Sequence, residues 1–160
     1  IKSIAKFLER VERIIEKVNG YKLNKALAYE KEEKELLYAQ HYAIKSIDKD
    51  MEAFSFNTVV ARLMEFVNAI YKYDSLDKDK NVKLLKECIN TLILLIAPLT
   101  PHFAEEEWSN LGNKKSVFTA SYPTYEERYL VLDETEYGIQ INSKIRSKIV
   151  LSKKLNHCRN

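Results

Sequence analysis

The run LILLIAPLTPHFAEEEW at residues 92–108 constrains this chain more than any other stretch. Leu92, Ile93, Leu94, Leu95 and Ile96 leave a helix with no polar side, so other helices must surround it. Pro98 stops that helix, and Thr100 as cap with Pro101 in the first turn starts the next. Ala104, Trp108 and Leu111 then form an apolar stripe that Gly112 closes. A proline-broken helix pair of this kind specifies architecture. It carries no chemistry, because it offers no nucleophile, metal cluster or phosphate loop.

The rest of the first 112 residues follows the same period. Ile4, Phe7, Leu8, Val11, Ile14, Ile15 and Val18 recur at spacings of three and four and are closed by Asn19-Gly20. Leu37, Ile44, Ile47, Met51 and Phe54 mark a second helix, whose charged start at 30–35 is expected to be solvated. Val59, Val60, Leu63, Phe66, Val67 and Ile70 mark a third, and the charged loop 74–81 precedes a fourth at 82–97. Four long helices and a short fifth bury these stripes most simply as an antiparallel bundle, so residues 1–112 are expected to form a helix-bundle domain. Residues 113–136, rich in Ser, Thr and Tyr and without a helical period, read as an extended strap over it. From Ile139 the period falls to two, which fits a β-hairpin turning at Asn142-Ser143. The fold class is mainly α with a small C-terminal β-hairpin element.

Charge is informative once divided. The chain carries +3, yet residues 137–160 hold six basic side chains and no acidic one, so residues 1–136 hold 20 basic against 23 acidic side chains and a net charge of −3. The bundle is therefore not a generic polyanion binder. Within the first helix the charges are sorted: Lys2, Lys6, Arg10, Arg13 and Lys17 share one stripe, and Glu9, Glu12 and Glu16 another. Clustered Lys and Arg are what phosphate contacts require. A solvated face holding i,i+4 pairs such as Glu9 with Arg13, worth about 0.2–0.5 kcal/mol, is the competing reading. The apolar stretch Leu92–Leu99 is far shorter than the roughly 20 residues of a membrane span. No signal peptide is evident, and Cys88 and Cys158 lack CxxC spacing, so disulfides and zinc are not expected and a reducing cytoplasmic setting fits.

Several separate stretches resemble one family. FLERVERIIEKV at 7–18, FSFNTVVARLMEFVNAI at 54–70, APLTPHFAEEEW at 97–108 and IQINSKIRSKI at 139–149 are similar to the anticodon-binding region of class I aminoacyl-tRNA synthetases, and within them to the bacterial leucyl type. The FNT helix is the most enzyme-specific piece, whereas the proline-rich pattern is shared with isoleucyl, valyl and methionyl enzymes. Glu12 stands where that family usually has tryptophan, Ser143 replaces a glycine, and Tyr122-Pro123 sits where Trp-Pro is usual.

The resemblance implies a tRNA-binding piece of an enzyme that attaches leucine to its tRNA with ATP and Mg, with catalysis and editing in domains N-terminal to Ile1. Residues 137–160 would then open a truncated small C-terminal domain. No HIGH or KMSKS signature, Gly-rich phosphate loop or other adenylate motif occurs here, so no cofactor and no catalytic residue is expected in this chain. The implied partners are a leucine-acceptor tRNA and the catalytic domain of the same polypeptide, with no membrane. Arg10 and Arg13 match positions that are commonly arginine in the family's FLxRVxR pattern. With Lys6 and Lys17 from the same stripe, and Lys144, Arg146 and Lys148 from the hairpin, they form the expected tRNA contact set. The alternatives are the same domain of an isoleucyl or valyl enzyme, or a helical protein-interaction scaffold that binds no RNA. His41 and His102 are read as structural, His157 as tail, Glu105–Glu107 as favoured by a helix dipole, and Trp108 as core.

Overall fold

Apolar periodicity becomes helix wherever it is sustained. The computed structural model describes residues 2–24, 28–131, 134–141 and 144–152, with residues 2–3 and the last two stretches described in backbone only. Five helices carry the fold: α1 (Lys2–Asn19), α2 (Lys31–Glu52), α3 (Phe56–Asp74), α4 (Val82–Ile96) and α5 (Pro101–Asn110). Ion pairs from Glu35 to Lys72 and from Asp50 to Arg62 set α2 antiparallel to α3. Phe7, Val11, Ile14, Ile15 and Val18 of α1 enter one core with Leu36, Ile44 and Ile47 of α2, the Val59 to Ile70 stripe of α3, and the apolar face of α4 from Leu84 to Ile96. Inside it, the Gln40 amide donates to the Thr91 hydroxyl at 2.8 Å, so neither buried polar group is orphaned. The helix α4 buries ten of its 15 residues, keeps Lys83, Glu87 and Asn90 exposed, and packs against all four other helices.

Helix ends obey local chemistry with instructive exceptions. The Asn81 side chain accepts from the Leu84 amide and starts α4. Gly112, at φ 87°, takes the left-handed conformation that ends the α5 region. Thr100 occupies the cap position of α5 but makes no cap hydrogen bond, and its hydroxyl has no partner, so Pro101 supplies the start signal. Phe54, expected on the apolar stripe of the second helix, instead lies beyond it at φ 54° and is 79% exposed. It packs edge-on to the half-exposed Phe56. Ile4 is likewise half exposed, so the buried face of α1 begins at Phe7.

The charged start of α2 also departs from expectation. Glu33 is 1% exposed, because it closes a capping box with Glu30 and accepts from the Tyr73 hydroxyl at 2.5 Å and from Lys78. Trp108, expected in the core, is half-buried and donates its indole N–H to the Lys115 carbonyl at 3.1 Å. A Trp with a polar handle at a helix edge keeps that handle where a carbonyl can meet it.

Two short 3-10 turns punctuate the segment after Gly112: η1 (Val117–Thr119) and η2 (Glu127–Leu130). Glu105 accepts from the Ser116 hydroxyl and the Val117 amide, which seats Val117 in the core. The Glu126 amide donates to His41 Nδ1 at 3.0 Å, and Tyr129 stacks on the same imidazole. Strands β1 (Glu134–Ile141) and β2 (Lys144–Ser152) pair antiparallel, with Ile141 opposite Lys144. The register shifts between Ile139 and Gln140, whose partners are Ser147 and Ile145, leaving Arg146 unpaired. The unbroken alternation expected to range Lys144, Arg146 and Lys148 together is therefore interrupted inside β2. Asn142-Ser143, His157 and Cys158 lie outside the described residues.

Candidate nucleic-acid interface

Helix α1 sorts charge across its exposed surface, and its neighbours sharpen the division. On one flank, Lys6 and Arg13 are exposed and Arg10 is half-buried, and no carboxylate among the described residues pairs with any of the three. The Arg13 Nε–H donates to the carbonyl of Glu9 at 3.3 Å, so the side-chain ion pair anticipated between them does not form. The Arg10 guanidinium lies 4.6 Å over the ring of Tyr71 from α3. The Tyr71 hydroxyl donates to the Arg10 carbonyl at 2.8 Å.

Lys17 differs from Lys6, Arg10 and Arg13 in having a carboxylate partner among the described residues. Its ammonium is 2.5 Å from Asp74, a carboxylate only 3% exposed that also accepts from the Tyr21 hydroxyl at 2.7 Å. Burial pushes the Asp74 carboxyl up, but the hydrogen bonds from Lys17 and Tyr21 outweigh it and hold it below its ordinary value. The same bond raises Lys17. A lysine that neutralises a buried carboxylate is committed, since releasing it would leave an unpaired buried charge. The available basic face of α1 is thus Lys6, Arg10 and Arg13.

The other flank is acidic. Glu107 of α5 is 4% exposed, and its carboxyl is pushed up by burial and by the nearby Glu12, Glu106 and Glu16. A polyanion would be repelled along this side and drawn to the opposite one. Glu30, Glu32 and Glu33 bring three carboxylates within 4.8 Å of one another, a spacing that could hold a metal ion. The Lys78 ammonium already fills that place, at 3.4, 3.1 and 3.0 Å from the three. Cys88 is wholly buried, and burial drives its thiol far up, so it is no nucleophile. Residue patterns alone did not single out Tyr71, Asp74, Tyr21 or Lys78. Tyr71 and Asp74 sit three apart on α3 and reach α1 together, a signal visible only once the helices are paired.

The fold and its sorted charge define a class: a helical bundle that presents a short basic flank on its first helix. Residues 33–159 match the family described as the anticodon-binding domain of tRNA ligase, and the chain belongs to that family. Its sequence is 47% identical over 156 residues to a leucine–tRNA ligase of Clostridium botulinum (strain Hall), covering 95% of this chain and 19% of that protein. A leucine–tRNA ligase of Clostridium perfringens (strain ATCC 13124) is 44% identical over 159 residues, covering 97% and 19%. The chain thus spans about a fifth of the length of the curated relatives it matches. In fold it is similar to a LeuRS–tRNA–LeuAMS ternary complex from Agrobacterium radiobacter K84, with a TM-score of 0.76 at 24% identity over 97% of this chain and 20% of that one. No helix among the described residues is long and apolar enough to cross a membrane.

Proposed function

We propose that this chain is the tRNA-binding domain of a cytoplasmic leucine–tRNA ligase, and that it holds the body of the tRNA by its phosphates through Lys6, Arg10 and Arg13 of α1. The observation that carries the reading is the basic flank of α1, free of carboxylate partners and set against an acidic flank, in a chain 47% identical to leucine–tRNA ligases. Such relatives favour the leucyl reading over the isoleucyl and valyl ones. Leucine activation with ATP and Mg belongs to a catalytic domain of the same polypeptide, which this bundle would hold in register with the bound tRNA. We further infer that the paired strands open a small C-terminal module, and that Lys144, Arg146 and Lys148 add phosphate contacts there.

Replacing Arg10 and Arg13 together by Gln should weaken binding of any tRNA transcript by similar factors. It should also flatten the dependence of log affinity on log salt by roughly one to two units, since each phosphate contact releases about one counterion. Gln keeps helix propensity, so circular dichroism should be unchanged. Unchanged affinity and salt slope in the double variant would leave α1 a merely solvated face and return the protein-scaffold reading.

A further inference from the structure

One residue of α3 holds Arg10 twice. The Tyr71 hydroxyl donates to the Arg10 carbonyl at 2.8 Å, and the Tyr71 ring lies beneath the Arg10 guanidinium at 4.6 Å. Tyr71 is itself seated by its partial burial against the core. A guanidinium on an aromatic face loses rotamer freedom without losing donors, because all its N–H groups lie in its own plane and point past the ring edge. That edge geometry suits a phosphate, which takes two parallel N–H bonds from one arginine. Arg13, the neighbouring cation on the flank, has no aromatic partner among the described residues.

We propose that Tyr71 is a positioning residue for nucleic-acid binding, one that fixes the plane of the Arg10 guanidinium so that its edge meets a backbone phosphate before the tRNA arrives. This rests on the phosphate-contact reading of α1 given above. The contribution is pre-organisation: a side chain already ordered loses less entropy on binding than one recruited from solvent. About two turns further along α1, Lys17 shows the opposite use of α3, which spends that cation on Asp74. The C-terminal turns of α3 therefore divide the α1 stripe into a cation presented and a cation consumed.

The test is the salt dependence of binding between the 160-residue chain and a leucine-acceptor tRNA transcript. Arg10→Gln should lower the slope by about one unit. Tyr71→Leu, which removes the ring, should weaken binding about two- to fivefold, the range of an exposed cation–π contact. It should do nothing further in the Arg10→Gln background, because the two changes remove one coupled contact. Tyr71→Phe should retain most of the affinity. Arg10→Lys, which keeps the charge but has no guanidinium plane for Tyr71 to fix, should keep the slope but lose the affinity that the fixed plane confers.

Full additivity of Tyr71→Leu and Arg10→Gln would overturn the inference, as would wild-type affinity in Arg10→Lys or a Tyr71→Phe as weak as Tyr71→Leu. If Tyr71→Leu fails to fold, Arg10→Lys and Tyr71→Phe decide the matter alone. A flat response to Arg10→Gln overturns the phosphate reading itself and the inference with it. A response to Arg10→Gln with none to Tyr71→Leu overturns only the inference.

Discussion

Glu33 shows how a single residue can join the start of one helix to the end of another. It is 1% exposed, and its two oxygens accept from the Tyr73 hydroxyl, the Lys78 ammonium and the Glu30 amide. Burial pushes its carboxyl up, but the bonds from Tyr73 and Lys78 win and hold it below its ordinary value. Burial first, and then the bond to Glu33, push the Tyr73 phenol up to about 12 against the opposing pull of the Asn81 amide and Lys78. A carboxylate whose folded value is depressed contributes stability above its unfolded value of 4.5, and the contribution is lost as pH falls through the lower, folded value. Glu33→Gln keeps the volume but gives up the charge-assisted bonds, and should cost about 1.5–3 kcal/mol at neutral pH. Chemical denaturation read at neutral pH and again in acid would check this, with the difference between wild type and variant shrinking in acid. A constant difference would show that the loss is one of packing rather than of charge.

At the scale of elements, the five helices were legible because their apolar residues recur at helical spacing and their breaks fall at Pro98, Gly20 and Gly112. Pairing between elements was not. The charge of Glu33 reads as solvated until Tyr73 and Lys78 are brought to it, and Lys17 reads as a free cation until Asp74 is. Periodicity reports which face is apolar and says nothing of which polar groups on the margin will meet. His41 belongs to the same category. Its imidazole sits on the margin of α2, accepts from the Glu126 amide and stacks on Tyr129, and so holds η2 against the bundle.

Burial lowers its pKa below 6.5, opposed by Glu126 and aided by Arg128. The neutral ring is the one that accepts, so the contact contributes stability above 6.5 and loses it as pH falls below that value. Acidification should release η2 while leaving the helices intact, because Lys45 with Glu127 is an exposed pair of small worth. The measurement is the Glu126 amide shift by NMR between about pH 7 and about pH 5, alongside far-UV circular dichroism. An amide that stays put through this range would mean that His41 is not what secures the turn.

For the whole molecule, fold and charge are divided along the chain. The core runs from Phe7 to Val117, whereas residues 137–160 hold six of the 26 basic side chains and no acidic ones. Ending the chain at Leu130 should therefore leave the melting temperature within a few degrees of the wild type, since no residue of the described core is removed. It should have a large effect on tRNA. The remaining residues 1–130 hold 20 basic and 20 acidic side chains and carry no net charge, so association loses electrostatic steering, and the salt slope should fall by up to about three units if Lys144, Arg146 and Lys148 all meet phosphates. The interrupted register of β2 argues for a smaller change, because Arg146 has no partner to align it with its neighbours. Combining the shortened chain with Arg10→Gln separates the two footprints. If they are independent, their slope changes add, and the doubly altered protein binds tRNA weakly at every salt concentration. If the shortened chain alone binds tRNA with the affinity and slope of the intact one, the terminal cations are solvated and the α1 flank carries the interface by itself.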